Sequence, residues 1–328
     1  MIYDRIKAVN NMDHRSKKTL IIIIIISIST ILATIYTSYL EPNNSHLVFG
    51  ATYMTMNNPF YEVINNELKK NIENRGDELI TRNPELNINK QKQQIRSFIK
   101  KKVNGIFINP IESDKISDVL KEARVAGIPI IAIDASVTDS SLLDCTIESD
   151  NYHAGALCAQ NMMNRLSSAN IILLQHSTVE SAATRIQGFI ETIQNNSNYH
   201  IIDRLECEGQ LEKAMPMVKE SLKKHTNVNV VMALNDPSAL GALAAIEYLH
   251  KKDIIVYGVD GTPDLKALIK DNESIGGTAA QSPVQFGKMA AKEMYRILNN
   301  KHVPNKIEVP VTFISKENID SFNVKGWQ

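Results

Sequence analysis

Residues 232–249 read MALNDPSALGALAAIEYL, and residues 254–263 read IIVYGVDGTP. Each segment opens on an apolar run with the character of a buried strand, breaks off in polar residues, and passes into a helix starting at Asp236 or at Pro263. Strands that alternate with helices specify an α/β chain with a parallel sheet. In such sheets ligands sit beyond the carboxyl ends of the strands. Asn235, Asp236 and Asp260 are therefore candidates to line a pocket.

The same arrangement recurs upstream. IPIIAID stays apolar from Ile128 and stops at Asp134, while LVFGATYM runs into NNPFY, where Pro59 suits the first turn of a helix. The reading along the chain places strands at 47–53, 78–81, 105–108 and 129–133, with helices starting near Pro59, Asn89 and Asp114. A second series has strands at 171–174, 201–206, 228–233 and 254–257, a further strand near 277–280 and a helix over 284–298. Two such series imply two lobes, and the 284–298 helix is placed to return the chain to the first.

Lys and Arg total 36, as do Asp and Glu, so no basic excess points to nucleic acid. With 328 residues, 43% of them hydrophobic, the chain can bury one large core or two moderate ones.

Residues 19–40, TLIIIIIISISTILATIYTSYL, carry no charge and are long enough for a helix to cross a hydrocarbon layer of about 30 Å. Arg5, Lys7, Arg15, Lys17 and Lys18 precede this run, and the next basic residue after it is Lys69. The excess of positive charge before the run puts the amino terminus in the cytoplasm and everything after Leu40 outside. A cleaved signal peptide is the competing reading. The run exceeds the usual apolar length of such peptides and no clear small-x-small cleavage site follows it, which favours an uncleaved anchor. The three cysteines, Cys145, Cys158 and Cys207, are irregularly spaced and far from this segment. They form no metal motif and no disulfide framework, and they read as buried thiols; none is placed to carry a lipid anchor. No cofactor motif and no metal site is expected.

The residues also carry a family resemblance. NNPFY at 57–61, INP at 108–110, AGIPIIAID at 126–134, ESDN at 148–151, Arg185 with GF at 188–189, NDPSALGA at 235–242, GVDGTPD at 258–264 and AQSPVQFG at 280–287 occur in one order. That order resembles the type 1 periplasmic sugar-binding proteins, particularly the ribose- and xylose-binding branch, from Leu47 to the carboxyl terminus. The resemblance implies two Rossmann-like lobes joined by three crossovers, near Ser149, Gln281 and Pro310, with a sugar in the cleft. The domains expected are a cytoplasmic segment 1–18, an anchor 19–40, a linker 41–46, a first lobe of 47–148 plus 282–309, and a second of 149–281 plus 310–328.

By position in the matching motifs, Asn58, Phe60, Tyr61, Asp134, Arg185, Asn235, Asp260 and Gln281 are similar to the family's sugar contacts. Carboxylates accept protons from neighbouring hydroxyls, amides bond in both directions, and aromatic rings cover the C–H face of a sugar. Each residue has a plainer role open to it: Phe60 and Tyr61 as core, the aspartates as turn starters, Asn235 or Asp236 as helix cap, Arg185 as a solvated helix residue, Gln281 as a hinge. Two departures from the family bear on the ligand. Asp134 is followed by Ala135, where relatives commonly have Arg, and an ECEG stretch at 206–209 makes Glu208 a candidate acceptor where ribose-type relatives place an aromatic ring. A pentose such as xylose is the ligand first expected, and a ligand bearing an amine remains open.

An enzyme is not expected, because no nucleophile or metal motif accompanies the two aspartates. A repressor built on the same core would need a helix-turn-helix before it, where the apolar helix stands. The remaining readings are a membrane-anchored receptor that signals to a sensor histidine kinase, as anchored members of this family do, and the substrate-binding subunit of an ABC importer that delivers sugar to a permease.

Overall fold

The structure is a computed structural model that describes residues 13–40 and 46–328. The expected linker, apart from His46, and residues 1–12 of the expected cytoplasmic segment lie outside the described residues. The chain divides into two compact units, 1–46 and 47–328.

In the first unit, helix α1 (His14–Leu40) begins before the expected Thr19. Asp13 explains the earlier start: its carboxylate accepts from the backbone N–H groups of Arg15 and Ser16 and caps the helix. Residues 14–34 have a mean hydropathy of 1.9 in their most apolar window and bury none of it. The isoleucine run is β-branched and would be a poor helix former in water. The helix is nonetheless regular, and hydroxyls among its described side chains return to its own backbone: Ser27 Oγ donates to Ile23 O at 2.8 Å and Thr30 Oγ1 to Ile26 O at 3.0 Å. All polar groups satisfied within one segment is the condition for spanning lipid.

The second unit contains two six-stranded sheets. The first has the order β2 (Glu78–Arg82), β1 (Val48–Thr52), β3 (Gly105–Ile108), β4 (Ile130–Ile133), β5 (Cys145–Ser149), β11 (Lys306–Val309), all parallel. The second repeats that pattern with β7 (Tyr199–Glu206), β6 (Ala169–Gln175), β8 (Val230–Ala233), β9 (Ile255–Asp260), β10 (Ile275–Ala280) and β12 (Thr312–Ile314), of which only β12 is antiparallel to its neighbour. Strands β3, β4 and β8 are buried at every residue and read as unbroken apolar runs, the signature of parallel strands covered on both faces.

Helices α2 (Pro59–Glu73) and α10 (Pro283–Leu298) pack together over one face of the first sheet, with Phe286 and Met294 against Phe49 and Phe107. Helices α3 (Ile88–Lys101) and α4 (Ser117–Val125) cover the other face through Ile95, Phe98, Val119 and Leu120. The pairs α5 (Asn151–Arg165) with α6 (Glu180–Ile193), and α7 (Leu211–Lys224) with α8 (Asp236–Tyr248), flank the second sheet, joined by the shorter α9 (Pro263–Ile269). In both sheets the order reverses beside the first strand of the lobe, which opens a crevice at the carboxyl ends of the strands.

The chain passes between the sheets three times: from β5 into α5, from β10 into α10, and from β11 to β12 through Pro310. These passages are bonded to one another. Ser149 Oγ donates to Gln281 Oε1 at 2.7 Å, and Asp150 N donates to Val309 O at 3.1 Å. The alternation of strand and helix follows the sequence reading. Strands β5, β11 and β12, which that reading does not predict, are three to five residues long and each has only two apolar residues beside its charged or hydroxyl ones.

Candidate functional site

Asp134 follows β4 and Asp260 ends β9, each where its chain leaves the sheet. Both adopt positive φ, 71° and 137°, a conformation that costs a residue with a Cβ. The surrounding sheets hold them there, so two carboxylates are turned out of their strands at equivalent places in the two lobes. Asp134 is 5% exposed and Asp260 7%.

In the first lobe, Asn58 caps α2 by accepting from Phe60 N at 2.9 Å, which fixes the first turn of that helix over the strand ends. Tyr61 Oη then donates to Asp134 Oδ2 at 3.1 Å, while Asp134 Oδ1 is buried with no partner. Asn109, directly after β3, donates through Nδ2 to Ile133 O at 3.0 Å and approaches the same Oδ2 at 3.5 Å. Tyr53, at the end of β1, stands 6.0 Å from the Tyr61 ring, and its hydroxyl is also buried without a partner. Phe60 packs edge-on to Phe286 and tilted against Trp327.

In the second lobe, the backbones of α5 and α6 touch at glycine. A Cβ on Gly155 would lie 1.8 Å from Arg185 O, and one on Gly188 would lie 2.1 Å from Tyr152 O. This close approach carries Arg185, 5% exposed, into the site. Its Nε donates to Asn151 Oδ1 at 2.8 Å, its Nη1 donates to Leu234 O at 3.1 Å, and Nη1 stands 3.6 Å from Asp260 Oδ1. Gln281, 1% exposed, donates through Nε2 to Asp260 Oδ1 at 2.6 Å while its Oε1 accepts from Ser149. A hinge residue thus bonds directly to a site carboxylate.

Burial raises the pKa of Asp134, offset by the Arg185 guanidinium and the Tyr61 hydrogen bond. Burial likewise pushes Asp260 up, to about 8, against the pull of Arg185 and with the charges of Asp236 and Asp134 adding to the rise. The Tyr61 phenol goes well above its usual range through burial and its contact with Asp134. Arg185 acts on the carboxylates of both lobes, so the two half-sites face each other.

The structure therefore brings Tyr61, Asp134, Arg185, Asp260 and Gln281 together, with Asn58 and Phe60 at the edge of the first lobe's half. Asn235 caps α8, accepting from Ser238 N and donating to Gly209 O at 3.1 Å, so most of its hydrogen-bonding capacity is used within the lobe. Asp236, for which a capping role was also open, is instead fully buried; it accepts from Thr262 N, Thr262 Oγ1 and Thr278 Oγ1 and holds the turn after Asp260. Glu208 does not join the group. It is exposed, sits at positive φ beyond β7, and pairs with Lys213. The residue that turns inward there is Cys207, whose thiol bonds to Ser238 Oγ at 3.3 Å. Asn109, Asn151 and Tyr53 were not among the expected site residues. The first two lie in the INP and ESDN motifs, and polar residues placed directly after an apolar strand were the signal available for them.

A model of the periplasmic binding protein domain matches residues 49–302. The chain belongs to that family. Among curated relatives, it is 28% identical over 269 residues to the ribose import binding protein of Bacillus subtilis, covering 82% of this chain and 87% of the relative. It is 31% identical over 220 residues to the galactofuranose-binding protein of Escherichia coli, covering 64% and 69%. Among solved structures, an ABC transporter solute binding protein from Bacillus halodurans with bound myo-inositol superposes with a TM-score of 0.80 at 22% identity, covering 85% of this chain and 98% of the other. The family's two-lobed fold accounts for the pairing of Asp134 with Asp260, since each occupies the equivalent strand end of a repeated sheet.

Proposed function

We propose that this chain is a receptor for a small monosaccharide of about pentose size, held outside the cell by α1, which closes on its ligand and signals to a sensor histidine kinase. The observation that carries the sugar reading is the group at the hinge: two turned-out aspartates, Asp134 and Asp260, with one guanidinium and the Gln281 amide between them. Such a set can accept from adjacent hydroxyls and donate to their oxygens, with Phe60 and Tyr61 supplying apolar cover. The names of the relatives, ribose and galactofuranose binders, support the same class. The role we read is binding: Gln281 ties the Asp260 carboxylate to the crossovers, so occupancy of the site bears on the hinge itself.

The signalling part rests on α1. A helix long and apolar enough to span a bilayer, with basic residues before it and the first cysteine only at position 145, supports a fixed anchor with the lobes outside. Tethering holds the receptor at high effective concentration beside other membrane proteins, so closure can change which of them it contacts. Delivery of sugar to an ABC permease is the second reading, favoured by the import role in the name of the ribose-binding relative.

Purification of the full-length chain from membranes of its own host, with and without sugar, separates the two. Sugar-dependent recovery of a histidine kinase is the expected result. Recovery of a permease alone, in either condition, would overturn the signalling role and leave import.

A further inference from the structure

The charges of the site do not balance. Asp134 and Asp260 face a single guanidinium, Arg185. Asp236 lies behind Asp260, and the buried Lys266 offsets it. Ionised together, the two aspartates would leave one carboxylate without a positive partner, which is costly in a low-dielectric site, and without ligand Asp260 meets this by keeping its proton up to about pH 8.

A cavity of about 90 Å3 continues from Asp134 past Ala135 toward the solvent. Its wall carries Asp134, Glu148, Glu180 and Glu308 against one cation, Lys306. Lys306 is already engaged, 2.7 Å from Glu148 and 2.8 Å from Glu308. Glu180 has no ion pair among the described residues. Asp134, nineteen-twentieths buried, is part of this wall; it holds its Oδ2 on Tyr61 and keeps a buried Oδ1 without a partner. Ala135, beside it in the wall, contributes only a methyl group and no donor of its own.

We infer that the sugar is an amino sugar whose ammonium seats beside Ala135, donating to Asp134 Oδ1 and facing the carboxylates of Glu148 and Glu180. The inference deepens the monosaccharide reading and rests on it. The ammonium supplies the missing positive charge and three N–H donors to a wall made of acceptors. A neutral sugar hydroxyl in the same place bonds Asp134 but brings no charge, so the site still relies on a protonated aspartate. Burial already drives both aspartates toward their protonated forms, and an ammonium takes the place such a proton would hold.

Calorimetric titration of the full-length chain in detergent tests this with matched ligands: glucosamine, galactosamine and aminopentoses, the same sugars with hydroxyl in place of the amine, and the N-acetylated forms, which keep the nitrogen but lose its charge. One amino sugar should bind at least about tenfold tighter than both of its neutral counterparts, the scale of a charge-assisted bond to a buried carboxylate. Ala135→Arg, which places a guanidinium where the ammonium would sit, should remove that preference and improve the neutral sugar. Glu180→Gln, an exposed change with little bearing on folding, should weaken the amino sugar several-fold and leave the neutral one unchanged. Neutral sugars binding as tightly as their amines would overturn the inference while leaving the sugar receptor intact; binding of no sugar by folded protein would overturn both.

Discussion

Trp327, one residue from the carboxyl terminus, lies against Phe60 in the first turn of α2, with ring centroids 5.7 Å apart. The two belong to opposite ends of the chain. Residues 322 and 324 pack on the second lobe's core, whereas Trp327 packs on the first lobe's, so the tail spans the lobes beside the three covalent passages. Replacement of Trp327 by Ala should cost about 1 kcal/mol or more of stability and loosen the arrangement of the lobes. Thermal unfolding and solution scattering of the ligand-free protein check this, with a lower midpoint and a larger radius expected.

Lys266 secures the same tail from beneath. Fully buried, it donates to Asn323 O at 2.8 Å and to Gly326 O at 2.6 Å. Lys266→Met keeps the length and removes both bonds, stranding two carbonyls and the charge of Asp236. A loss of about 1–3 kcal/mol is expected, with hydrogen exchange accelerating first in residues 320–328. Unchanged exchange there would mean that the Lys266 bonds do not hold the tail.

Gly155 sets the spacing of α5 and α6, and through it the position of Arg185. Any Cβ at that point meets a backbone carbonyl, which cannot move aside as a side chain can. Gly155→Ala should destabilise by about 1–3 kcal/mol, as overpacking does, and weaken ligand binding although residue 155 touches no ligand. Denaturant unfolding and titration of the same preparation separate the two effects.

The raised carboxyls give a pH dependence with a definite sign. Unfolded, an aspartate loses its proton near pH 4; in the folded ligand-free protein Asp260 keeps it until about 8. Between those values the native state binds more protons than the unfolded chain, so Asp260 contributes stability at low pH that is lost as pH rises through its folded value. His176, held below its usual value by burial, acts oppositely in part of the window, so the diagnostic is a comparison. Asp260→Asn should flatten the fall in melting temperature between about pH 5 and pH 8. An identical fall in the variant would place the titration elsewhere.

The fold was legible because its strands are covered on both faces and therefore read as apolar runs, such as IPIIAID and VVMAL, that stop abruptly at polar residues. The site aspartates were legible for the same reason: a carboxylate that closes such a run stands at the crevice. What was not legible depends on contacts distant in sequence. Strands KIEV and TFI are too short to announce themselves and exist because β5 and β10 offer them edges. Glu208 looked like a ligand acceptor because ECEG stands where ribose-type relatives place an aromatic ring, but a left-handed turn at that residue faces it to Lys213 and solvent. Asp236 looked like a cap because it begins a helix, yet the hydroxyls of Thr262 and Thr278 draw it inward and leave capping to Asn235. The contact of Trp327 with Phe60 joins residues more than two hundred positions apart and has no local signature.

The most direct test of the account is the heat of binding of neutral and amino monosaccharides to the full-length chain, measured beside Asp134→Ala and Asp260→Ala. The account predicts micromolar or tighter binding of at least one small monosaccharide, abolished in both variants while their folds persist. Folded protein that binds no sugar, or binds one equally well without either aspartate, would contradict it.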